Sequence, residues 1–236
     1  VQHADLRERV LEANLALGRA GLVVLTFGNA SAVDRDEGVI AIKPSGVSYD
    51  DLDAGSIVVV DLESGEAIDD DLRPSSDAPT HLVLYRHFEG IGAVVHTHSP
   101  AAAAWAQAGR AIPCFGTTHA DHFHGEVPVT RTLTAGEIAG EYEARTGDVI
   151  VETFEGLDPL DVPAVLVRSH GPFAWGVDEV HAVENAIALE AVAATAIDTL
   201  ALSPSAEPIA GELLERHFRR KHGAAAYYGQ PPGGAT

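Results

Sequence analysis

Twelve histidines occur in the 236 residues, and five of them, His96, His98, His119, His122 and His124, fall within 29 positions. Imidazole is the commonest protein ligand for transition metals, so clustering is the first chemical signal. His96 and His98 stand two apart at the end of the apolar run IGAVVHTH. On a strand that spacing projects both rings from one face, where they can converge on one ion; a hydrogen-bonded surface pair is the plainer reading of the same pattern. His170 closes a second apolar run, VLVRSHGP, where Gly171 and Pro172 end the ladder and leave the ring at a strand mouth. Three imidazoles with an open fourth position match a catalytic zinc site. Asp77, which opens the helical segment leading into the His-x-His strand, is a candidate fourth ligand or simply a helix N-cap.

Three short loops suit a phosphate: GNAS at 28–31, KPSG at 43–46, and PSSD at 74–77, where a helix start favours anions. Each alone reads equally as an ordinary turn, since Gly, Ser and Asn dominate turns for conformational reasons. Neither a Walker loop nor G-x-G-x-x-G is present, which argues against a nucleotide, and the absence of a G-x-S-x-G elbow argues against a serine hydrolase. Cys114 carries no motif that marks it as a nucleophile. A metal beside a phosphate pocket suits Lewis-acid polarisation of a sugar phosphate, with a developing enediolate stabilised by the ion. Asp121 and a C-terminal tyrosine are the candidate proton carriers.

The elements that must hold these groups follow from periodicity. An amphipathic helix is predicted over about 5–19, with Leu6, Val10, Leu11, Ala13 and Leu17 on one stripe. GLVVLTFG, GVIAIKPSG and SIVVVDL read as three successive strands, IGAVVHTH, VIVET and PAVLVRSHG as later ones. A helix follows Asp77, another spans TAGEIAGEYEARTG with the capping-box spacing Thr134 to Glu137, a long buried helix covers 178–202, and a last one covers about 206–222. Strands that follow one another without crossover helices call for a mixed or largely antiparallel sheet. The expected fold is α/β, a three-layer α/β/α domain over residues 1–230, with 231–236 as a tail lacking fixed structure.

Eight segments in order, LTFGNASAVDR, IKPSGVSY, RPSSDAPTH, VVHTHS, IPCFGTTHAD, AGEYE, SHGPFAWG and RKHGAAAYYGQ, resemble the class II aldolase/adducin family, and within it the members that epimerise L-ribulose 5-phosphate at carbon 4. The resemblance implies a four-fold symmetric tetramer, a mostly antiparallel sheet of about nine strands, and a site shared between subunits. It implies one divalent ion per subunit, zinc first and manganese or cobalt as alternatives, on His96, His98 and His170, with Asp77 in or near the coordination sphere. The phosphate would lie against Gly28, Asn29, Ser45, Gly46, Ser75 and Ser76, with Lys43 nearby. The implied reaction cleaves and remakes a carbon–carbon bond, converting L-ribulose 5-phosphate to D-xylulose 5-phosphate. Asp121 and Tyr228, the latter from the adjacent subunit, would exchange the proton. Glu143 and His217 match assisting positions, and read from the residues alone they are equally a surface helix carboxylate and a helix C-terminal cation. His122 and His124 stand where the family has bulky aromatics and are expected to line the pocket.

Two other readings stay open: an aldolase that releases its products, as with L-fuculose 1-phosphate, and an adducin-like binding module without a metal. The aldolases carry a Glu where Asp77 stands here. Fifteen Lys+Arg against 35 Asp+Glu give a net charge of −20, which opposes nucleic acid and anionic membrane surfaces as partners. A single cysteine and a charged, amphipathic start suggest a cytoplasmic chain without signal peptide or membrane span.

Overall fold

The computed structural model describes residues 2–68, 71–223 and 226–228. The expected tail at 231–236 lies outside them. Six strands form one sheet in the order β3-β2-β1-β4-β6-β5: β1 Asn29–Asp34, β2 Val39–Ile42, β3 Val58–Asp61, β4 Ala93–His96, β5 Ala164–Leu166 and β6 Pro172–Gly176. Every neighbouring pair is antiparallel. The count is six rather than nine because further pairings, such as Pro44 with Pro74 and Ile112 with Val127, are single bridges.

The alternation of side chains along these strands builds two cores, one on each face. Ala30, Ala32, Ala41, Val59, Val95 and Ala174 face α1 (Ala4–Arg19), α3 (Pro100–Ala108) and α7 (Glu179–Leu202). Ile40, Ile42, Val58, Val94, Phe173 and Trp175 face α2 (Ala78–His87) and α6 (Tyr142–Thr153). Three layers result. The small residues on the first face let the long helix α7 lie close to β6, where a Cβ on Gly176 would come within 2.5 Å of the Ala182 nitrogen.

Four segments differ from the sequence reading. GLVVLTFG is a loop, not a strand: Leu25 at φ 56° and Gly28 at φ 80° break any extended run, and Phe27 N–H turns back to the Val24 carbonyl. VIVET is the end of α6, where Val149 and Ile150 bury against α2; packing overrides their β-branched preference. The Thr134–Glu137 capping box is formed, but the helix breaks at Gly140 into α5 (Ala135–Ala139) and α6. The last helix, α8, begins only at Gly211 and runs to Lys221, because Pro204 and Pro208 keep the preceding stretch irregular.

Helix α7 was expected to be mostly buried. It is long and apolar enough to cross a membrane by length and composition, yet only one face is covered, and Val180, Ile187, Ile197 and Leu202 are exposed. Its Glu190 carboxylate accepts the N–H groups of Ala101 and Ala102 at 2.8 and 2.9 Å, capping α3 from across the layer. The Ala-rich α3 itself, missed in the sequence reading, carries its own signals: Pro100 in the first turn and Gly109 at φ 63° past its end.

Between β1 and α2 lies a buried polar contact, Ser31 Oγ to His81 Nδ1 and to Tyr85 Oη, both at 2.7 Å. Burial drives the pKa of His81 down to about 4, that of His119 to about 4 and that of His96 to about 3. As pH falls below about 6.5 the unfolded chain takes up protons that the folded chain refuses, so stability declines toward pH 4, by up to about 1.4 kcal/mol per pH unit for each histidine. Urea unfolding of the metal-free protein should therefore show a constant midpoint above pH 7 and a falling one from pH 6.5 to 5. A midpoint that stays flat across that range would contradict these burial assignments.

Candidate metal and substrate site

Strand pairing brings the chemistry to one end of the sheet. Asn29 sits opposite His96 across β1 and β4, and His96 sits opposite Phe173 across β4 and β6. Gly28, just before β1, has φ 80°, and a Cβ there would come within 2.9 Å of the His96 carbonyl oxygen, so the loop can close on β4 only without a side chain. His170 precedes β6 on a tight turn in which Ser169 takes φ 62°.

His96, His98 and His170 offer nitrogens that all lie within 4.8 Å of one another. His96 is buried and its ring stacks on Phe173 at 4.2 Å between centroids; His98 is exposed and His170 half-buried. The Nδ1 of His96 donates to the Pro172 carbonyl at 2.9 Å, which leaves its Nε2 lone pair 3.1 Å from Nε2 of His98. Two ligands bound at 2.0–2.1 Å to a tetrahedral ion stand about 3.3 Å apart, so this spacing suits one shared ion. Burial lowers the pKa of His96 and of His170, which keeps both rings neutral and able to ligate. The donor set, three imidazoles open on one side, fits a divalent transition metal.

Asp77 lies in the same cavity but outside the group of three. Its Oδ2 accepts from Asn29 Nδ2 at 2.7 Å, and although Asp77 occupies the N-cap position of α2, as one sequence reading had it, its side chain caps no helix N–H there. Burial opposes its charge, but the His96 and His81 imidazoles and the Asn29 amide outweigh that and hold its carboxyl below the usual range. Asn29 Nδ2 also reaches Ser75 Oγ at 3.0 Å, while its own Oδ1 is buried without a partner among the described residues.

The cavity holds about 390 Å³, and its wall includes Gly28, Asn29, Lys43, Ser45, Gly46, Ser75 and Ser76, together with Glu143. Every expected phosphate residue thus meets the three histidines. The mode of contact differs from a simple amide cradle. The N–H groups of Ser45 and Ser75 are spent on the Arg73 and Lys43 carbonyls at 3.0 and 2.9 Å, which leaves for a ligand the Ser45 hydroxyl and the O–H hydrogen of Ser75, whose oxygen already accepts from Asn29 Nδ2 and the Asp77 N–H. Lys43 is buried, its ammonium donating to the Val47 and Thr26 carbonyls at 2.7 and 3.3 Å and lying 4.8 Å from the Tyr49 ring centre. It pairs with no carboxylate among the described residues, and desolvation lowers its pKa. Tyr49 fastens the same loop by donating to the Gly28 carbonyl at 2.8 Å.

The other expected site residues gather elsewhere. Asp121, His217 and Tyr228 do not line this cavity. They cluster where α4 (Thr117–Ala120) meets α8: Asp121 Oδ1 accepts from His217 Nδ1 at 3.0 Å and from Arg220 Nε at 2.8 Å, and Arg220 and Lys221 each lie 4.8 Å from the Tyr228 ring centre. Burial opposes the charge on Asp121, but the hydrogen bonds from Arg220 and His217 outweigh it and lower its pKa, leaving an ionised carboxylate. Within one chain, then, Tyr228 shares Arg220 with that chain's own Asp121. His122 and His124 belong to this cluster as well and do not line the cavity: Lys221 Nζ approaches His122 at 3.4 Å, and His124 pairs with Glu215 at 2.6 Å. Three residues of consequence were missed in the sequence. Tyr142 and Phe27 line the cavity and Arg220 holds Asp121; all three stood inside quoted segments, AGEYE, LTFGNASAVDR and RKHGAAAYYGQ, the first two adjacent to residues already chosen.

The fold has close counterparts. An L-fuculose 1-phosphate aldolase aligns over 92% of this chain and 95% of its own, at 24% identity and a TM-score of 0.77. YgbL from Klebsiella pneumoniae, a candidate aldolase/epimerase/decarboxylase, aligns over 90% of this chain and 97% of its own, at 27% identity and a TM-score of 0.71. An aldolase II superfamily protein from Pseudomonas syringae aligns over 93% and 84%, at 18% identity and a TM-score of 0.74. Residues 8–197 match the model for the class II aldolase and adducin N-terminal domain. By that match, which takes in all three clustered histidines and the three candidate phosphate segments, the chain belongs to the class II aldolase and adducin family.

Proposed function

We propose that the chain is a divalent-metal enzyme that interconverts L-ribulose 5-phosphate and D-xylulose 5-phosphate by cleaving and remaking the bond between carbons 3 and 4. The observation that carries this reading is the meeting of the three imidazoles in one cavity with a buried Lys43 that pairs with no carboxylate among the described residues, the strand residue Asn29 and the loop residues Ser45, Ser75 and Ser76. His96, His98 and His170 would hold the ion, with Asp77 beside it. A divalent ion there supplies Lewis-acid polarisation of a ketose carbonyl and stabilises the negative charge that develops when the bond breaks.

The chain's own residues do the rest. The hydroxyls of Ser45, Ser75 and Ser76 and the charge of Lys43 anchor the phosphate, in a protein whose net charge of −20 otherwise repels anions. Asn29, held by Asp77 and Ser75, forms a fixed part of the cavity wall and keeps the Asp77 carboxylate in place beside the ion site. An ionised Asp121 accepts the proton of the 4-hydroxyl, and Tyr228 exchanges it for the other epimer. Since Asp121, His217 and Tyr228 are gathered on one chain away from its own cavity, the neighbouring copy in a symmetric oligomer, which we take to be a tetramer, would supply all three together. Glu143, on the cavity wall, would assist. The protein would act in the cytoplasm, as a single catalytic domain over residues 1–230.

A second reading is an aldolase that frees its products, and its support is the L-fuculose 1-phosphate aldolase among the similar folds. Incubating the zinc-loaded protein with L-ribulose 5-phosphate separates the two. The epimerase reading predicts D-xylulose 5-phosphate with little free glycolaldehyde phosphate; free aldehyde as the main product would establish the aldolase, and no turnover would remove both.

Hybrid oligomers test the shared site. Co-expressing a His98→Ala chain with an Asp121→Asn chain, each inactive alone, should restore up to about a quarter of wild-type activity, since a cavity and a cluster from different chains are both intact in that fraction. Mixing Asp121→Asn with Tyr228→Phe should restore none, because every cluster then carries a lesion. The reverse pattern, or no recovery in either mixture, would contradict the shared site.

A further inference from the structure

His96 owes its orientation to a backbone carbonyl, whereas His170 stands on a turn and has a side chain behind it. The Tyr142 hydroxyl lies 3.3 Å from His170 Nδ1, and the phenol itself is part of the cavity wall. A ligating imidazole needs its remote nitrogen to carry the hydrogen, so that the near nitrogen presents its lone pair to the ion. We infer that Tyr142 is a positioning residue for the metal centre: its hydroxyl oxygen accepts the Nδ1–H of His170, selects the tautomer with a free Nε2 lone pair, and fixes the plane of a ring that the turn alone would leave free to rotate. This rests on the proposed reading that the three histidines hold an ion.

The fold sets Tyr142 in place from several directions. It is the first residue of α6, just past the break at Gly140, and α6 is drawn onto α2 by close packing: a Cβ on Gly147 would come within 2.6 Å of the Val83 side chain. Thr80 of α2 donates to the Glu143 carbonyl at 2.6 Å, which pins the first turn of α6 against the helix that also carries Asp77 at its start. One more turn along, Thr146 Oγ1 donates to the Tyr142 carbonyl at 2.9 Å. The phenol therefore belongs to a fixed helix end, and the ring of His170 is held between it and His96, whose centroid is 4.8 Å away. Having accepted the Nδ1–H bond, the tyrosine keeps one hydrogen of its own to offer into the cavity.

Tyr142→Phe removes only the oxygen and preserves the packing, so the variant should fold and melt as the parent does. Its zinc dissociation constant, measured by competition with a chromogenic chelator, should rise by about 10–100-fold, the usual cost of losing a hydrogen bond behind a ligating histidine. In the metal-free protein, nitrogen-15 NMR of His170 should show the Nδ1–H tautomer in the parent and a mixture in Tyr142→Phe, a change that a purely structural role for the ring would not produce. Equal zinc affinity and the same tautomer in both proteins would overturn the assignment. Should the parent bind no zinc at all, the metal reading and this inference fail together; zinc bound by the parent and equally by the variant removes this inference alone.

Discussion

The register of β4 between β1 and β6 is the constraint on which the site depends. It sets Asn29, His96 and Phe173 side by side at one end of the sheet. Because side chains alternate along a strand, a slip of one residue would carry His96 from the α2 and α6 face to the opposite one and part it from His170. The register is itself enforced by the two cores: Val94 faces one and Val95 the other, so any slip would bury the wrong set on each side. The same hydrophobic burial that stabilises the sheet therefore sets the geometry of the histidines.

Around that frame the site concentrates groups that cost free energy to bury. An ammonium held by carbonyls and a tyrosine ring, an amide oxygen without a partner among the described residues and the buried imidazole of His96 are each less favourable than an apolar wall would be. They are tolerated because rigid neighbours hold them: Tyr49 and Lys43 fasten the loop at 26–28, Asn29 is locked by Asp77 and Ser75, and His96 is locked by Pro172. A bound anion would offset the first cost and a bound cation the third. The cavity is thus preorganised for a ligand that carries negative charge at one end and metal-binding oxygens at the other.

Much of this was legible in the residues. His-x-His at a strand end and a histidine before Gly-Pro were enough to find the three converging rings, although β4 ends at His96, which leaves His98 two residues past it, and His170 stands on the turn into β6 rather than closing a strand. Of the three candidate phosphate segments, KPSG and PSSD are loops whereas GNAS is the start of β1, and the cavity unites all three. What local rules could not supply was long-range packing. VIVET looked like a strand since its β-branched residues prefer one, and only the face of α2 makes it a helix. GLVVLTFG looked like a strand since nothing in its composition announces that Leu25 adopts a left-handed backbone. Likewise Asp121 was a candidate proton carrier in the sequence and Tyr228 one that the resemblance implies, but that Arg220 and His217 of the same chain bind Asp121, off the cavity wall, follows only from how α8 docks on α4.

Everything proposed for the cavity requires the three histidines to hold a metal, and cobalt substitution tests this most directly. Metal-free protein titrated with Co2+ should bind one ion per chain and develop the intense visible absorption of a tetrahedral or five-coordinate centre, and His170→Ala should lose both. Absence of binding, or a spectrum and stoichiometry unchanged in His170→Ala, would show that the convergence of His96, His98 and His170 serves some other purpose.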